Sequence, residues 1–377
     1  MSNRLVAVFA PFEELTDPRI ERTRAHDLLE LVVVALCGTL AGADSWTDIE
    51  RFGNERLPWL RTFLKLESGI PSHDTFGRVF ALLDPAELVA CVAQWLEDIG
   101  HDIGHHIAID GKTLRGSGDA AAGRNPLHLV SAWATEARLT LGQIAVDAKS
   151  NEITAIPLLL ELLDLQGATV TIDAMGCQKE IAARIVAGGG DYVLALKGNH
   201  EHLQAAVATE FTAAAEADFQ VPGLRRQVTV ETSRGRRERR EYIVMPAPRS
   251  LPGFGDWAQL ITIGMVLRTT QVDGKETGEV SYFLSSGAPK VKAFAKVVRS
   301  HWSIESQLHW VLDVTFSEDA SRIRRQNAPQ TSGVLRRLAV SILSQDTTVR
   351  DTLRGKRYRA CLSTAVLERM LLGFAAI

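Results

Sequence analysis

The sequence predicts an α/β fold in which a mixed sheet is flanked by helices, with an all-helical N-terminal domain and a β-rich insertion. Residues 1–100 repeat apolar residues at helical spacing. From His105, three short strands follow one another and give way to alternating helix and strand, a pattern that favours a mixed sheet covered by helices. Residues 205–288 alternate apolar and polar residues between Gly and Pro turns, as antiparallel strands do.

The N-terminal domain, residues 1–100, is predicted to contain four helices. Their segments are HDLLELVVVALCGTLAG, WTDIERFGNERLPWLRTFL, HDTFGRVFALL and PAELVACVAQWLEDIG. Asp74 and Asp84 stand where helix N-caps are expected, and Pro85 suits a first helical turn. These signals predict a compact helical module.

The sheet domain is predicted from residues 101–204 and 289–346, on either side of the insertion at 205–288. Its strands are expected in HHIAID, LHLVSAWAT, RLTLGQIAVD, ATVTID and DYVLAL. Its helices are expected in EITAIPLLLELLDL, in KEIAARIVAGG, from Asn199 onward and from near Pro289 onward. Residues 347–377 are predicted to form a helical tail.

Charge and cysteine content narrow the class of protein. Asp and Glu outnumber Lys and Arg by 16 to 9 between Met1 and Gly100, whereas Lys and Arg lead by 15 to 7 from Pro289 to Ile377. This asymmetry favours a polyanionic partner for part of the surface. The four cysteines form no CxxC pair, which argues against a disulfide framework or a Cys-based zinc site. With neither a signal peptide nor a long apolar span evident, we expect a cytoplasmic protein with no membrane partner.

Three carboxylates are the strongest candidates for chemistry. Asp110 and Asp173 each follow a short apolar strand, and Glu305 lies in the predicted helix VRSHWSIESQLHWVLD. Carboxylates gathered at a sheet edge repel one another unless cations neutralise them, and Mg²⁺ or Mn²⁺ prefers such oxygen ligands. Such a trio could hold two divalent metals about 4 Å apart for phosphoryl transfer.

Each carboxylate also has a simpler interpretation. Asp110 could belong to an Asp-Gly turn, Asp173 could cap the following helix, and Glu305 could pair with a histidine on its own helix. His301, Glu305 and His309 recur at intervals of four, so a zinc site on one helical face is a further alternative. The zinc alternative leaves both aspartates unexplained.

Basic residues close to these carboxylates in sequence are candidate phosphate contacts, although the sequence favours a surface charge for each one taken separately. They are Lys112, Arg115, Lys149, Lys197 and Arg299.

Six segments in order resemble the ISAs-type, or H-repeat-associated, insertion-sequence transposases of the DDE superfamily. These segments include GIPSHDTFGRVF, IAIDGKTLRGS, DYVLALKGNH and HWSIESQLHWVLDVTFSEDASRIRRQNA, and the resemblance runs from about Asp17 to Leu343. It implies a ribonuclease-H-like catalytic domain and a helical DDE-transposase-associated domain. By the family motif, Asp110, Asp173 and Glu305 become the catalytic residues and ligands of two divalent cations, Mg²⁺ or Mn²⁺.

The resemblance also implies partners and an activity. The expected activity is metal-dependent cleavage of transposon ends and their transfer to target DNA. DNA partners would be the terminal inverted repeats and the target, and synapsis of two ends implies a homodimer or higher assembly. One departure concerns the Tyr-Arg-Glu-Lys signature of broader relatives, because Val298, His301 and Leu312 stand at three of its places. His301 or the nearby Arg299 is then a candidate phosphate contact.

Two rival functions are compatible with the same sequence. One is a catalytically silent or repurposed DNA-binding relative, because a carboxylate trio does not prove activity. The other is a stand-alone ribonuclease-H-like nuclease, because a fold does not determine function.

Overall fold

The computed structural model describes residues 2–100, 103–146, 150–233 and 235–375. The α-helices among these residues are α1 (Ser2–Val8), α2 (Leu28–Leu40), α3 (Trp46–Leu60), α4 (His73–Leu82), α5 (Pro85–Ile99), α6 (Glu152–Leu160), α7 (Lys179–Ala187), α8 (Glu201–Glu216), α9 (Val291–His301), α10 (Trp310–Phe316), α11 (Ala328–Gln345), α12 (Leu353–Leu362) and α13 (Thr364–Ala375). The strands are β1 (His106–Leu114), β2 (Leu127–Ala134), β3 (Leu139–Ala145), β4 (Thr169–Ile172), β5 (Asp191–Leu196), β6 (Arg225–Ser233), β7 (Arg236–Pro246), β8 (Thr262–Val272) and β9 (Lys275–Ser285).

The predicted α/β fold with a mixed sheet is confirmed. Strands pair in the order β3-β2-β1-β4-β5-β9-β8-β7-β6. β1, β4 and β5 are parallel to one another, whereas β2 pairs antiparallel with β3 and β9 pairs antiparallel with β5. The β-rich segment therefore extends the same sheet through β9 instead of forming a second one. The chain divides into two compact units with other boundaries, and the four-segment domain division stays a prediction.

The first unit contains Met1–Ile103, Gly111–Asn151 and Ile304–Ile377. Its central helix is α11, which packs against α2, α4, α5 and β3. Nearly every residue of α11 is buried, including Val334, Leu338 and Ile342. Burial of such apolar side chains is the main stabilising contribution to this unit.

The four helices predicted for residues 1–100 are all present as α2 to α5. Asp84 caps α5 as predicted, because its carboxylate accepts a hydrogen bond from the Ala86 amide at 2.8 Å. The expectation for Asp74 was wrong. Ser72 caps α4 by accepting from the Thr75 amide, so Asp74 lies within the first helical turn.

The second unit contains Gly104–Asp110 and Glu152–Ser303. Helix α9 packs across β4, β5, β6 and β7, and α6 packs against α7. Beneath α9, a cluster including Val193, Tyr242, Val244 and Phe294 forms an apolar core. This packing fixes α9 against the strands that carry the candidate site.

In the described part of the chain, no single helix has the length and apolar content needed to cross a bilayer. Helices α4 and α5 meet these criteria only as a pair, and the pair bends by 91°.

Candidate active site

The register of two parallel strands brings Asp110 and Asp173 close together. Ile109 on β1 pairs with Ile172 on β4, so the two aspartates are the next residues along neighbouring strands. Neighbouring strands lie about 4.8 Å apart. Two carboxylates from distant parts of the sequence therefore lie at one edge of the parallel strands, where ligands bind in such sheets.

Neither simpler interpretation of the aspartates holds. β1 continues through Asp110 and Gly111 to Leu114, so the Asp-Gly pair does not form a turn and the strand does not end at Asp110. Asp110 instead marks the point where pairing with β4 stops. Helix α7 begins after Gln178, so Asp173 is not its N-cap.

The Asp173 carboxylate is held by its own turn. Its Oδ1 accepts hydrogen bonds from the amides of Met175 at 3.0 Å and Gly176 at 3.4 Å. Asn199 closes the same loop by donating to the Ala174 carbonyl at 2.7 Å. The carboxylate is thus oriented before any ligand arrives, while its side chain remains partly exposed.

Electrostatics disfavour a negative charge on Asp173. Partial removal from water raises the pKa of its carboxyl group, and the negative charge of Glu152 raises it further. The two amide hydrogen bonds and the positive charge of Lys197 act in the opposite direction. Glu152, the first residue of α6, is a site residue that sequence reasoning missed, although it lies in the KSNE segment.

Glu305 lies in a different kind of helix from the one predicted. α9 ends at His301, a π-helix spans Ile304–His309, and α10 follows. Ile304, Leu308, Val311 and Leu312 are buried. Glu305 is exposed, and partial desolvation raises the pKa of its carboxyl group. Single-turn π segments of this kind are frequent at functional sites.

The π turn also breaks the four-residue spacing of His301, Glu305 and His309 on which the zinc alternative rests. Within the described ranges, no three His, Cys, Asp or Glu side chains are grouped so that they could hold a metal ion. This finding applies to the zinc alternative and to the carboxylate trio alike. The two aspartates nevertheless come from adjacent strands and supply hard oxygen donors, the ligand type that Mg²⁺ and Mn²⁺ prefer.

His301 takes part in a buried hydrogen-bonded chain. Its Nδ1 lies 2.9 Å from the Thr171 hydroxyl, and Nε2 of His106 lies 2.8 Å from the same oxygen. Burial lowers the pKa of His301 to about 4, so the ring is neutral at pH 7. A neutral ring cannot supply the charge that an arginine would bring to a phosphate.

Lys112 is enclosed by carboxylates of the first unit. Its Nζ lies 2.7 Å from Oδ1 of Asp313, 2.9 Å from Oδ1 of Asp319 and 3.9 Å from Oε2 of Glu318. Only 7% of the Lys112 side chain is exposed. Glu318 is fully buried and also binds Arg337 at 2.9 Å. The ammonium group thus has a structural role in a buried ionic cluster.

The other predicted phosphate contacts differ in accessibility. Arg115 is 82% exposed and pairs with Asp319 at 3.3 Å. Lys197 is exposed directly after β5, and Arg299 is exposed but pairs with Glu231 at 3.1 Å. Lys149 lies outside the described residues.

Comparison with known proteins identifies one family over most of the chain. Residues 103–342 match the family model described as "Transposase DDE domain", and residues 9–96 match the one described as "DDE_Tnp_1-associated". The chain is 38% identical to "Putative transposase YncI" of Escherichia coli O157:H7 over 95% of this chain and 92% of that protein. It is also 38% identical to "H repeat-associated putative transposase YhhI" of Escherichia coli K12, over 92% of this chain and 93% of that protein.

A shorter relative, "Inactive transposase YbfQ" of Escherichia coli K12, is 41% identical over 54 residues, which cover 14% of this chain and 64% of that protein. Family models cover both the helical N-terminal region and the sheet domain with its candidate carboxylates. The chain therefore belongs to the DDE transposase family, and its partner is DNA.

Proposed function

We propose that this transposase cleaves the ends of an insertion sequence and joins them to target DNA, using Asp110, Asp173 and Glu305 as ligands of two Mg²⁺ or Mn²⁺ ions. The observation that carries the proposal is the register of β1 and β4, which sets Asp110 beside Asp173. Glu305 is included as a ligand because it stands in the HWSIE motif of the family and is exposed on the π turn.

The carboxylates fit a divalent cation on electrostatic grounds. Asp173 carries a raised pKa because desolvation and Glu152 both oppose its negative charge. A bound cation would remove that penalty by neutralising the crowded carboxylates. When bound, two such ions would supply Lewis-acid stabilisation of the attacking and leaving oxygens in an in-line displacement.

The protein side chains have distinct tasks in this proposal. Asp110 and Asp173 present oxygens from a rigid sheet edge, and the amides of Met175 and Gly176 keep the Asp173 carboxylate from rotating. Lys197, whose positive charge acts on Asp173, is positioned to hold a DNA phosphate beside the carboxylates.

The remaining basic residues are assigned by their surroundings. Arg115 and Arg299 are proposed as further phosphate contacts because their side chains are exposed. Lys149 is proposed only because of its place in the sequence. Lys112 and His301 are given positioning roles instead, because buried partners already bind their polar atoms. Lys112 holds the carboxylates of Asp313 and Asp319, and His301 holds Thr171 on β4, two residues before Asp173.

Excision in cells tests the proposal. A donor plasmid would carry the gene's own flanking ends around a marker, and excision would be scored for wild type, Asp173→Asn and Asp191→Asn. Asp191 is a matched control because it lies on the neighbouring strand β5, opposite Thr169, at the other edge of the sheet. We expect excision by wild type and Asp191→Asn only. Equal excision by Asp173→Asn would contradict the assignment of Asp173.

A silent DNA-binding relative is the second candidate, since one family member is named as inactive. Soluble wild-type protein that binds the ends but never excises them would favour it. We further propose a cytoplasmic homodimer or higher assembly, because two ends must be held together. Light scattering with and without end DNA would measure that assembly.

A further inference from the structure

Three sequence motifs that contribute nothing to the carboxylate trio line one groove of the first unit. They are GADSW, GIPSHDTFGRVF and SRIRRQNA, which supply Trp46, His73 and Arg322 among other residues. The groove has a volume of about 380 Å³ and runs past the first turns of α3 and α4. Segments far apart in the sequence thus form a common surface feature.

The groove is rich in arginine. Arg78, Arg322, Arg324 and Arg325 line it, against the carboxylates of Asp44 and Asp74. Asp44 is already neutralised, because Nη2 of Arg357 lies 2.7 Å from its Oδ1. The groove therefore carries an excess of positive charge.

The arginines of this groove differ in their ion pairing from the arginines of the β-rich segment. Arg226 and Arg239 both pair with Glu241, and Arg240 pairs with Glu238. Arg322 and Arg325 are exposed and have no carboxylate within ion-pairing distance among residues 2–100, 103–146, 150–233 and 235–375. Their charge remains available for an anion.

Side-chain hydrogen bonds hold the segment that carries these arginines at two residues, Ser321 and Arg324. Nε of Arg324 donates to the Gly116 carbonyl at 2.9 Å, and Nη2 of Arg336 donates to the Ser321 hydroxyl at 2.9 Å. Gly116 allows this approach, since a Cβ there would lie 2.3 Å from the Ser321 carbonyl oxygen. Arg322 and Arg325 therefore belong to a segment that is already ordered, and this order lowers the entropic cost of binding an anion.

The groove offers contacts to phosphates rather than to bases. The Trp46 ring is stacked on Phe80, with centroids 4.8 Å apart, so one of its faces is already covered. Ser45 and Ser72 cap α3 and α4, which occupies some of the amides that could otherwise bind an anion. Guanidinium groups then remain as the principal ligands, and they match phosphodiester oxygens in geometry and charge.

We propose that this groove binds the phosphodiester backbone of duplex DNA, with Arg322 and Arg325 as its main contacts. This second DNA contact uses residues other than those of the carboxylate site, and it rests on the proposed function in requiring DNA as the ligand. Backbone contact of this kind would position the duplex without reading its sequence.

Fluorescence anisotropy with labelled duplexes tests this proposal. Wild type and Arg322→Ala/Arg325→Ala would be titrated with an end-sequence duplex and a random duplex between 50 and 200 mM salt, without divalent metal. Each lost phosphate contact reduces the slope of log K against log salt by about 0.9. We expect the slope to fall by about 2 and the affinity to fall roughly tenfold or more at 0.1 M salt.

Two further variants separate local from general effects. Arg184→Ala/Arg359→Ala removes the same charge from arginines paired with carboxylates elsewhere and should leave the slope unchanged. Arg322→Lys/Arg325→Lys keeps the charge and should retain most of the slope. Circular dichroism would verify that every variant is folded.

The outcomes are distinct. Equal loss on both duplexes supports the backbone contact, whereas loss on only one of the two duplexes would show that the groove reads sequence and would overturn it. An unchanged slope in Arg322→Ala/Arg325→Ala, with wild type binding normally, overturns this inference and leaves the proposed function intact. If wild type binds neither duplex, both proposals fail.

Discussion

His301 gives a prediction whose size follows from its surroundings. Burial lowers the pKa of its imidazole from the usual 6.5 to about 4. Between these values the unfolded chain binds a proton that the folded protein excludes, so stability must rise with pH. The contribution is complete above pH 6.5 and is lost as the pH falls towards 4. A difference of this size corresponds to about 3 kcal/mol, at 1.36 kcal/mol for each pKa unit.

Replacing His301 with asparagine isolates this contribution. The Asn side chain keeps a polar atom near the position of Nδ1 and can still bond the Thr171 hydroxyl, but it does not titrate. Urea unfolding of wild type and His301→Asn would be followed by tryptophan fluorescence at several pH values from 4 to 8. The wild-type free energy of unfolding should fall by about 3 kcal/mol more than that of the variant between pH 6.5 and pH 4.

The comparison needs a histidine that is not buried. His202 is exposed on α8, so His202→Asn should follow the wild-type profile. Carboxylates that titrate near pH 4 contribute equally to all three proteins and cancel in the difference. Parallel profiles for wild type and His301→Asn would refute the claim that His301 is held neutral by burial.

Two further predictions concern charged side chains. Lys112→Met removes the buried partner of three carboxylates and should lower the free energy of unfolding by about 3 kcal/mol, whereas Arg115→Ala, an exposed partner of Asp319, should cost less than about 1 kcal/mol. Urea unfolding compares them, and equal costs would show that Lys112 is not in a buried cluster. Asp173→Asn removes repulsion from Glu152 and should raise the Tm of the metal-free protein. Mg²⁺ at about 100 times its Kd should stabilise wild type by about 2.7 kcal/mol and the variant much less, and calorimetry would measure both. Equal stabilisation of the two proteins would exclude Asp173 as a ligand.

Local sequence patterns predicted most elements, because helical and strand periodicities depend on neighbouring residues. They failed where two local signals competed. Asp110-Gly111 has turn composition, yet β1 continues to Leu114, which is buried. Ser72 lies two residues before Asp74, and its hydroxyl reaches the amide that a cap must satisfy. The π turn at Ile304–His309 was also missed, since apolar spacing there is compatible with an α-helix.

The candidate site was less predictable than the fold, because its electrostatics depend on contacts between distant residues. Lys112 and Asp319 are 207 residues apart, and nothing in the local sequence indicates that they pair. His301 similarly meets Thr171 across 130 residues, which converts a predicted phosphate contact into a buried neutral group. The effect of Glu152 on the pKa of Asp173 also depends on a contact that the local sequence does not indicate. The aspartates themselves were predictable because each directly follows a short run of buried residues, which ends at Ile109 in one case and at Ile172 in the other.

Cleavage of end DNA by purified protein tests the central claim most directly. A labelled duplex carrying one terminal repeat would be incubated with Mg²⁺ or Mn²⁺ and with wild type, Asp110→Asn, Asp173→Asn, Glu305→Gln or the control Asp191→Asn. We predict metal-dependent strand cleavage by wild type and the control, and none by the three carboxylate variants, all of which should still bind the duplex. Cleavage at wild-type rate by any one of the three would contradict its role in the metal site.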